Sequence, residues 1–210
     1  MENRKCMNLT KRLLWAASVN LVFLIIYFGT QYIAMHFSKI TDVKLLLPGE
    51  ERIPFLPEFI IIYCLYYFLP IWLFIEITRR GRILKMALVF MVAAAIHALI
   101  FVFMPVEYVL RPEMPIGSVL HDFMTLLYKI DAPINTFPSM HVSFVFIVYF
   151  LVRRYRPQYR SLFFFLAIII SASTLFVKQH YILDIASGIL LATLINYFII
   201  SRKITVAKLS

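Results

Sequence analysis

The chain of 210 residues is poor in charge. Asp, Glu, Lys and Arg make up 15% of it and hydrophobic residues 62%, against roughly a quarter and a half in soluble domains. That balance excludes an ordinary water-soluble globule. Cysteine is scarce: Cys6 sits in a basic tail and Cys64 inside an apolar run, so no disulfide is expected. There is no Walker loop, no Cys/His zinc pattern and no acidic cluster suited to magnesium. Chemistry without metal or cofactor is therefore expected. Internal repeats and low-complexity tracts are absent too. The first apolar run is too long for a signal-peptide core and lacks a small-residue cleavage site, so it is expected to stay as a span.

What is present is a series of long apolar segments. A bilayer core about 30 Å thick needs about 20 apolar helical residues per crossing. Six segments meet that expectation: 13–35, 58–77, 86–104, one opening near Pro138, 161–177 and 181–200. The expected fold is all-α, a polytopic membrane bundle of six transmembrane helices in one domain over 1–210. Pro70 falls inside the second segment, where neighbouring helices re-satisfy the freed backbone groups.

The net charge of +10 reads as topology and not as nucleic-acid binding. Fifteen of the 21 basic residues fall in the N-terminal tail, in "TRRGRILK", in "RRYRPQYR" and in the C-terminal tail. Lys and Arg accumulate on the cytoplasmic side, which places both termini there. Residues 36–57 and 105–137 then face the other side. Within the second of these, "SVLHDFMTLLYKI" has apolar residues at near-helical spacing and predicts a short helix on or near the membrane.

Three pieces map to that non-cytoplasmic face: "LRPEM" with Arg111, "FPSMH" with Ser139 and His141, and "KQHYILD" with Lys178, His180 and Asp184. His141 and His180 are one descending span, a basic loop and one ascending span apart, so both return to the same surface. His180 and Asp184 stand four apart and share a face if helical. A carboxylate on one ring nitrogen fixes the tautomer and makes the other nitrogen more basic. His180 is then a nucleophile or base oriented by Asp184, and His141 a general acid for a leaving group. Arg111 and Lys178 bring the positive charge that a phosphoryl group requires. "PSMH" opens a helix whose exposed N–H groups, that of Met140 included, form an anion cradle with the Ser139 hydroxyl.

In these residues the chain resembles the type 2 phosphatidic acid phosphatase superfamily. Arg111-Pro112 matches the end of that family's first motif, Pro138-Ser139-Met140-His141 the second, and Ser173, His180 and Asp184 the third at the right spacing. The resemblance implies a six-helix bundle, a phosphohistidine on His180, protonation of the leaving alcohol by His141, and Ser173 among the phosphate-binding residues. It departs at Met104 and Thr174, where the family has Lys and Arg, and at Met140, where it has Gly. Lys178 is the candidate replacement for a missing cation. "STLFVKQHYILD" after "FPSMH" looks closer to the inositol-phosphoryl-ceramide synthase-like branch, which moves a phospho-headgroup between lipids.

The leading expectation is hydrolysis of a lipid phosphate ester at the non-cytoplasmic face; transfer of a phospho-headgroup to a lipid alcohol comes second, and non-catalytic lipid transport or scaffolding last. The expected partners are the bilayer and a phospholipid or isoprenyl phosphate. The short loops suit a multi-pass protein of a bacterial inner membrane. Other polar residues have plainer readings. His97, mid-span, is expected to make a helix–helix hydrogen bond, His121-Asp122 to lie on a surface helix, and Trp15, Tyr32 and Trp72 to anchor at the interfaces.

Overall fold

The computed structural model describes residues 6–37, 45–112 and 119–202. Several of the topology markers, Arg4, Lys5, Lys39, Lys44, Lys203 and Lys208, lie outside them. Seven α-helices follow in order: α1 Leu9–Phe37, α2 Ile60–Glu76, α3 Arg80–Phe103, α4 Val119–Ile130, α5 Met140–Tyr155, α6 Arg160–Phe176 and α7 Ile182–Ile195. A π-turn over Asn196–Ile200 extends α7. No strand occurs among the described residues; two isolated bridges, Cys6 with Arg79 and Val106 with Asn135, tie segments together.

Helix boundaries follow local chemistry. Pro57 and Pro157 open short 3-10 turns ahead of α2 and α6, where a missing N–H costs nothing. Ser139 caps α5 by accepting from the Val142 N–H at 3.3 Å. Pro70 sits inside α2 without ending it. "TRRGRILK", which falls between the second and third expected spans, is mostly helix: α3 begins at Arg80, so Arg82 and Lys85 lie on its first turns. Arg and Lys are good helix formers, and Ile77–Arg79 suffice to turn the chain.

Among the described residues five helical segments are long and apolar enough to cross a membrane: Leu9–Phe37, Pro57–Glu76, Arg80–Phe103, Pro157–Phe176 and Ile182–Ile200. The sixth expected span is α5, and at 16 residues it reaches only about 24 Å. It occupies the centre of the bundle and packs against α2, α3, α6 and α7. Residues Met140 to Val148 are buried without a break, the pattern of a helix apolar all round. The outer helices instead expose large apolar side chains, such as Ile25, Leu99, Phe165 and Leu190, as a lipid-facing surface does. The helix expected near the membrane is α4; it buries Met124 and exposes Phe123, Leu126 and Ile130.

Candidate active site

The chain reversal between α6 and α7 builds the centre. Val177 N–H bonds to the Ser173 carbonyl at 2.9 Å and Gln179 N–H to that of Thr174 at 3.0 Å. Lys178 takes the left-handed conformation that closes this turn, with φ 53°. The turn delivers Gln179 and His180 to the start of α7. There Asp184 accepts from the Tyr181 N–H at 2.8 Å and lies 3.3 Å from His180 Nδ1. The pair therefore meets through a helix cap and not across a helical face, because α7 begins two residues after His180. The Thr136 carbonyl is the second neighbour of Nδ1, at 3.1 Å. Both are acceptors, so the ring hydrogen belongs on Nδ1 and the lone pair on Nε2.

His141 stands in the first turn of α5. Its ring lies between Tyr63 and Tyr66, with centroids at 4.4 and 4.2 Å, and 5.8 Å from the His180 ring. It is 6% exposed, and its Nε2 has no hydrogen-bond partner. Two contacts lock α5 to α7 here. Ser139 N–H bonds to the Asp184 carbonyl at 3.0 Å. A Cβ on Gly188 would meet the Ser139 carbonyl oxygen at 2.7 Å, so only glycine permits that approach.

Arg111 comes from the segment after α3. Tyr181 holds that segment by accepting from the Val109 N–H at 2.9 Å. The guanidinium stacks over Tyr128 at 4.5 Å. It donates to the Asp131 carbonyl at 2.8 Å and to Gln179 Oε1. Gln179 Nε2 and Arg111 Nε are buried and unpartnered. Arg111, Gln179 and the His180–Asp184 pair are thus linked side by side.

Ser139 supplies the α5 cap and Met140 the first turn beside His141. Two candidates point elsewhere. Lys178 donates from Nζ to the Ile53 carbonyl; burial lowers its pKa and Glu50 opposes the shift. Ser173 turns its hydroxyl back to the Ile170 carbonyl at 2.6 Å, as Thr174 does to that of Ser171. Asp131 and Glu50 were not singled out from sequence, and Gln179, inside "KQHYILD", was given no role. Glu50 is buried and accepts from the Ile182 N–H, a second cap on α7. Burial raises the Asp131 carboxyl pKa, against the Tyr27 hydrogen bond, Arg111 and His180. His97 joins α3 to α5, with Nε2 3.0 Å from Ser143 Oγ, the helix–helix bond expected of it. No three His, Cys, Asp or Glu side chains gather as metal ligands among the described residues.

A sequence model of the PAP2 superfamily matches residues 58–198. That is more than half of the chain, and the chain belongs to this superfamily, whose chemistry is that of phosphoester hydrolases and phosphotransferases. Neither the curated proteins nor the solved structures compared with it give a match. Helix α1 lies outside the matched residues.

Proposed function

We propose that this protein is a membrane lipid phosphatase working through a phosphohistidine. The observation that carries the reading is the His180 ring, held at Nδ1 by Asp184 and Thr136, 5.8 Å from the ring of His141, whose Nε2 has no hydrogen-bond partner. Arg111, the amide of Gln179 and the N-terminal turn of α5 bind the phosphoryl oxygens. His180 Nε2 attacks phosphorus, the bond to the lipid oxygen breaks, and His141 gives that oxygen its proton. His141 then takes a proton from water as the water oxygen attacks phosphorus. The N–P bond breaks and phosphate leaves. The chemistry uses residues of this chain alone.

For topology we propose six spans, α5 being the central one, with both termini cytoplasmic and the site on the opposite face. In support, Arg111, His141 and His180 gather at one end of the bundle, and Arg12, Lys85, Arg154 and Arg156 at the other. Exposed Cys6 lies at the basic end. A membrane-impermeant maleimide should label it in inside-out vesicles and spare it in right-side-out ones.

A second reading, a phosphotransferase of the inositol-phosphoryl-ceramide synthase-like branch, draws on the apolar pocket beside His141, lined by Phe23, Leu24, Phe28 and Met140. Such walls favour a lipid hydroxyl over water as acceptor. The deciding experiment incubates detergent-purified protein, with EDTA present, with a phospholipid and isoprenyl phosphate panel, next to His180→Ala. Phosphate release lost in the variant supports the phosphatase. A headgroup-exchanged lipid without phosphate supports the transferase. Full turnover by the variant rules out the phosphohistidine.

A further inference from the structure

The pocket beside His141 contains a carboxyl group that the mechanism above does not use. It lies between α1, α2, α4 and α5. Leu24, Phe28 and Leu127 give it apolar walls, and His141 and Asp131 both line it. Asp131 is 9% exposed and is fixed from two sides. Tyr27 of α1 donates to its carboxyl, and Arg111 donates to its backbone carbonyl at 2.8 Å.

Electrostatics decide which part of a substrate this carboxyl meets. An anionic phosphoryl group beside a carboxylate is repelled, so the phosphate belongs with Arg111, Gln179 and His180. Asp131 belongs on the alcohol side of the breaking bond, where His141 delivers its proton. An ionised carboxylate is an acceptor only, with room for about four hydrogen bonds. Tyr27 supplies one. In an apolar pocket a ligand hydroxyl is the natural further donor.

We infer that Asp131 is a specificity residue that receives a free hydroxyl on the lipid alcohol, close to the phosphoester oxygen. The substrate class is then a phosphate ester of a glycerol-type or other polyol lipid and not of a plain hydrocarbon alcohol. This rests on the phosphoester reading of the site. A site built to hydrogen-bond a substrate hydroxyl rejects the analogue lacking it, because its own buried group is left unpaired.

The test compares 2-hydroxyhexadecyl phosphate with hexadecyl phosphate on the full chain in detergent micelles. The expected kcat/KM ratio is about tenfold or more in favour of the hydroxylated ester. Asp131→Ala should bring it to about one, and Asp131→Asn, which keeps an acceptor oxygen, should retain part of it. A wild-type ratio near one, or a full ratio in Asp131→Ala, overturns the inference. The corresponding phosphonates, which cannot be hydrolysed, are titrated by calorimetry against wild-type protein. About tenfold tighter binding of the hydroxylated phosphonate upholds the inference even if neither ester turns over, in which case the phosphatase reading alone has failed. Equal binding overturns the inference whatever the turnover.

Discussion

The two ends of the bundle use polar side chains in opposite ways. At the basic end, cations finish helices. Lys85, on the first turns of α3, donates to the carbonyls of Ile200 and Arg202 at 2.9 and 2.7 Å. Arg154 donates to that of Ser201 at 3.0 Å, Arg12 to that of Ile75, and Arg156 to the Glu76 carboxylate and carbonyl, both at 2.7 Å. Carbonyls at helix ends lack partners within the helix, and cations there also complement the dipole. At the site end the capacity is left unfilled. Of the buried side-chain polar atoms without a partner among the described residues, all but Arg12 Nε lie there, including His141 Nε2, Gln179 Nε2, Arg111 Nε and Asp184 Oδ1. Buried polar groups are normally satisfied. One end is therefore finished as structure and the other is prepared for a ligand, so substitutions at the two ends should separate activity from stability.

The largest effect is expected from Asp184→Asn. The amide keeps the size of the side chain and can still accept from the Tyr181 N–H, but it no longer holds the His180 tautomer with a charge. The expected loss in kcat is about 10³- to 10⁴-fold, with the melting temperature little changed; phosphate release and thermal unfolding measure the two. Gly188→Ala should follow. Its Cβ, 2.7 Å from the Ser139 carbonyl oxygen, must push α7 away from the α5 N-terminus. Overpacking of this kind costs about 1–3 kcal/mol, and a 1 Å misplacement of reacting groups about 10²-fold in rate. A normal rate in Gly188→Ala would show that the α5–α7 approach does not position His141.

How far the sequence led depends on the distance between partners. The grouping of His141, His180 and Asp184 was legible because each lies in a short local pattern, and α4 because its apolar residues recur at helical spacing. The contacts of Asp131, Glu50 and Gln179 were not. Tyr27 reaches Asp131 across 104 positions, Glu50 reaches Ile182 across 132, and Arg111 reaches Gln179 across 68. No local window contains such pairs. Lys178 shows the same limit: it stands two residues from His180, yet its ammonium goes to Ile53, 125 positions away. The count of spans turned on α5, since an apolar run looks alike whether lipid or protein surrounds it.

Lys178 also offers a smaller test at the site end. Its left-handed backbone disfavours any residue with a Cβ, by roughly 1–2 kcal/mol. Lys178→Gly should therefore be more stable than Lys178→Ala by about 1 kcal/mol, as chemical denaturation would read. Both variants remove the ammonium. A rise in KM common to the two would give that charge a share in holding phosphate, and a rise confined to Ala would trace to the turn alone.

The smallest effect belongs to the basic end. Glu76→Gln removes the charge from the pair with Arg156, whose side chains are 24% and 36% exposed. The bond from Arg156 to the Glu76 carbonyl survives the change, so what is lost is a partly exposed ion pair, worth about 0–1 kcal/mol. Activity should be unaltered. The difference in stability from wild type should shrink further in 1 M salt, where charges more than about 3 Å apart are screened. Loss of turnover in Glu76→Gln would mean that the two ends are coupled through α2, which carries both Glu76 and the tyrosines packed on His141, and the division of labour along the bundle would fail.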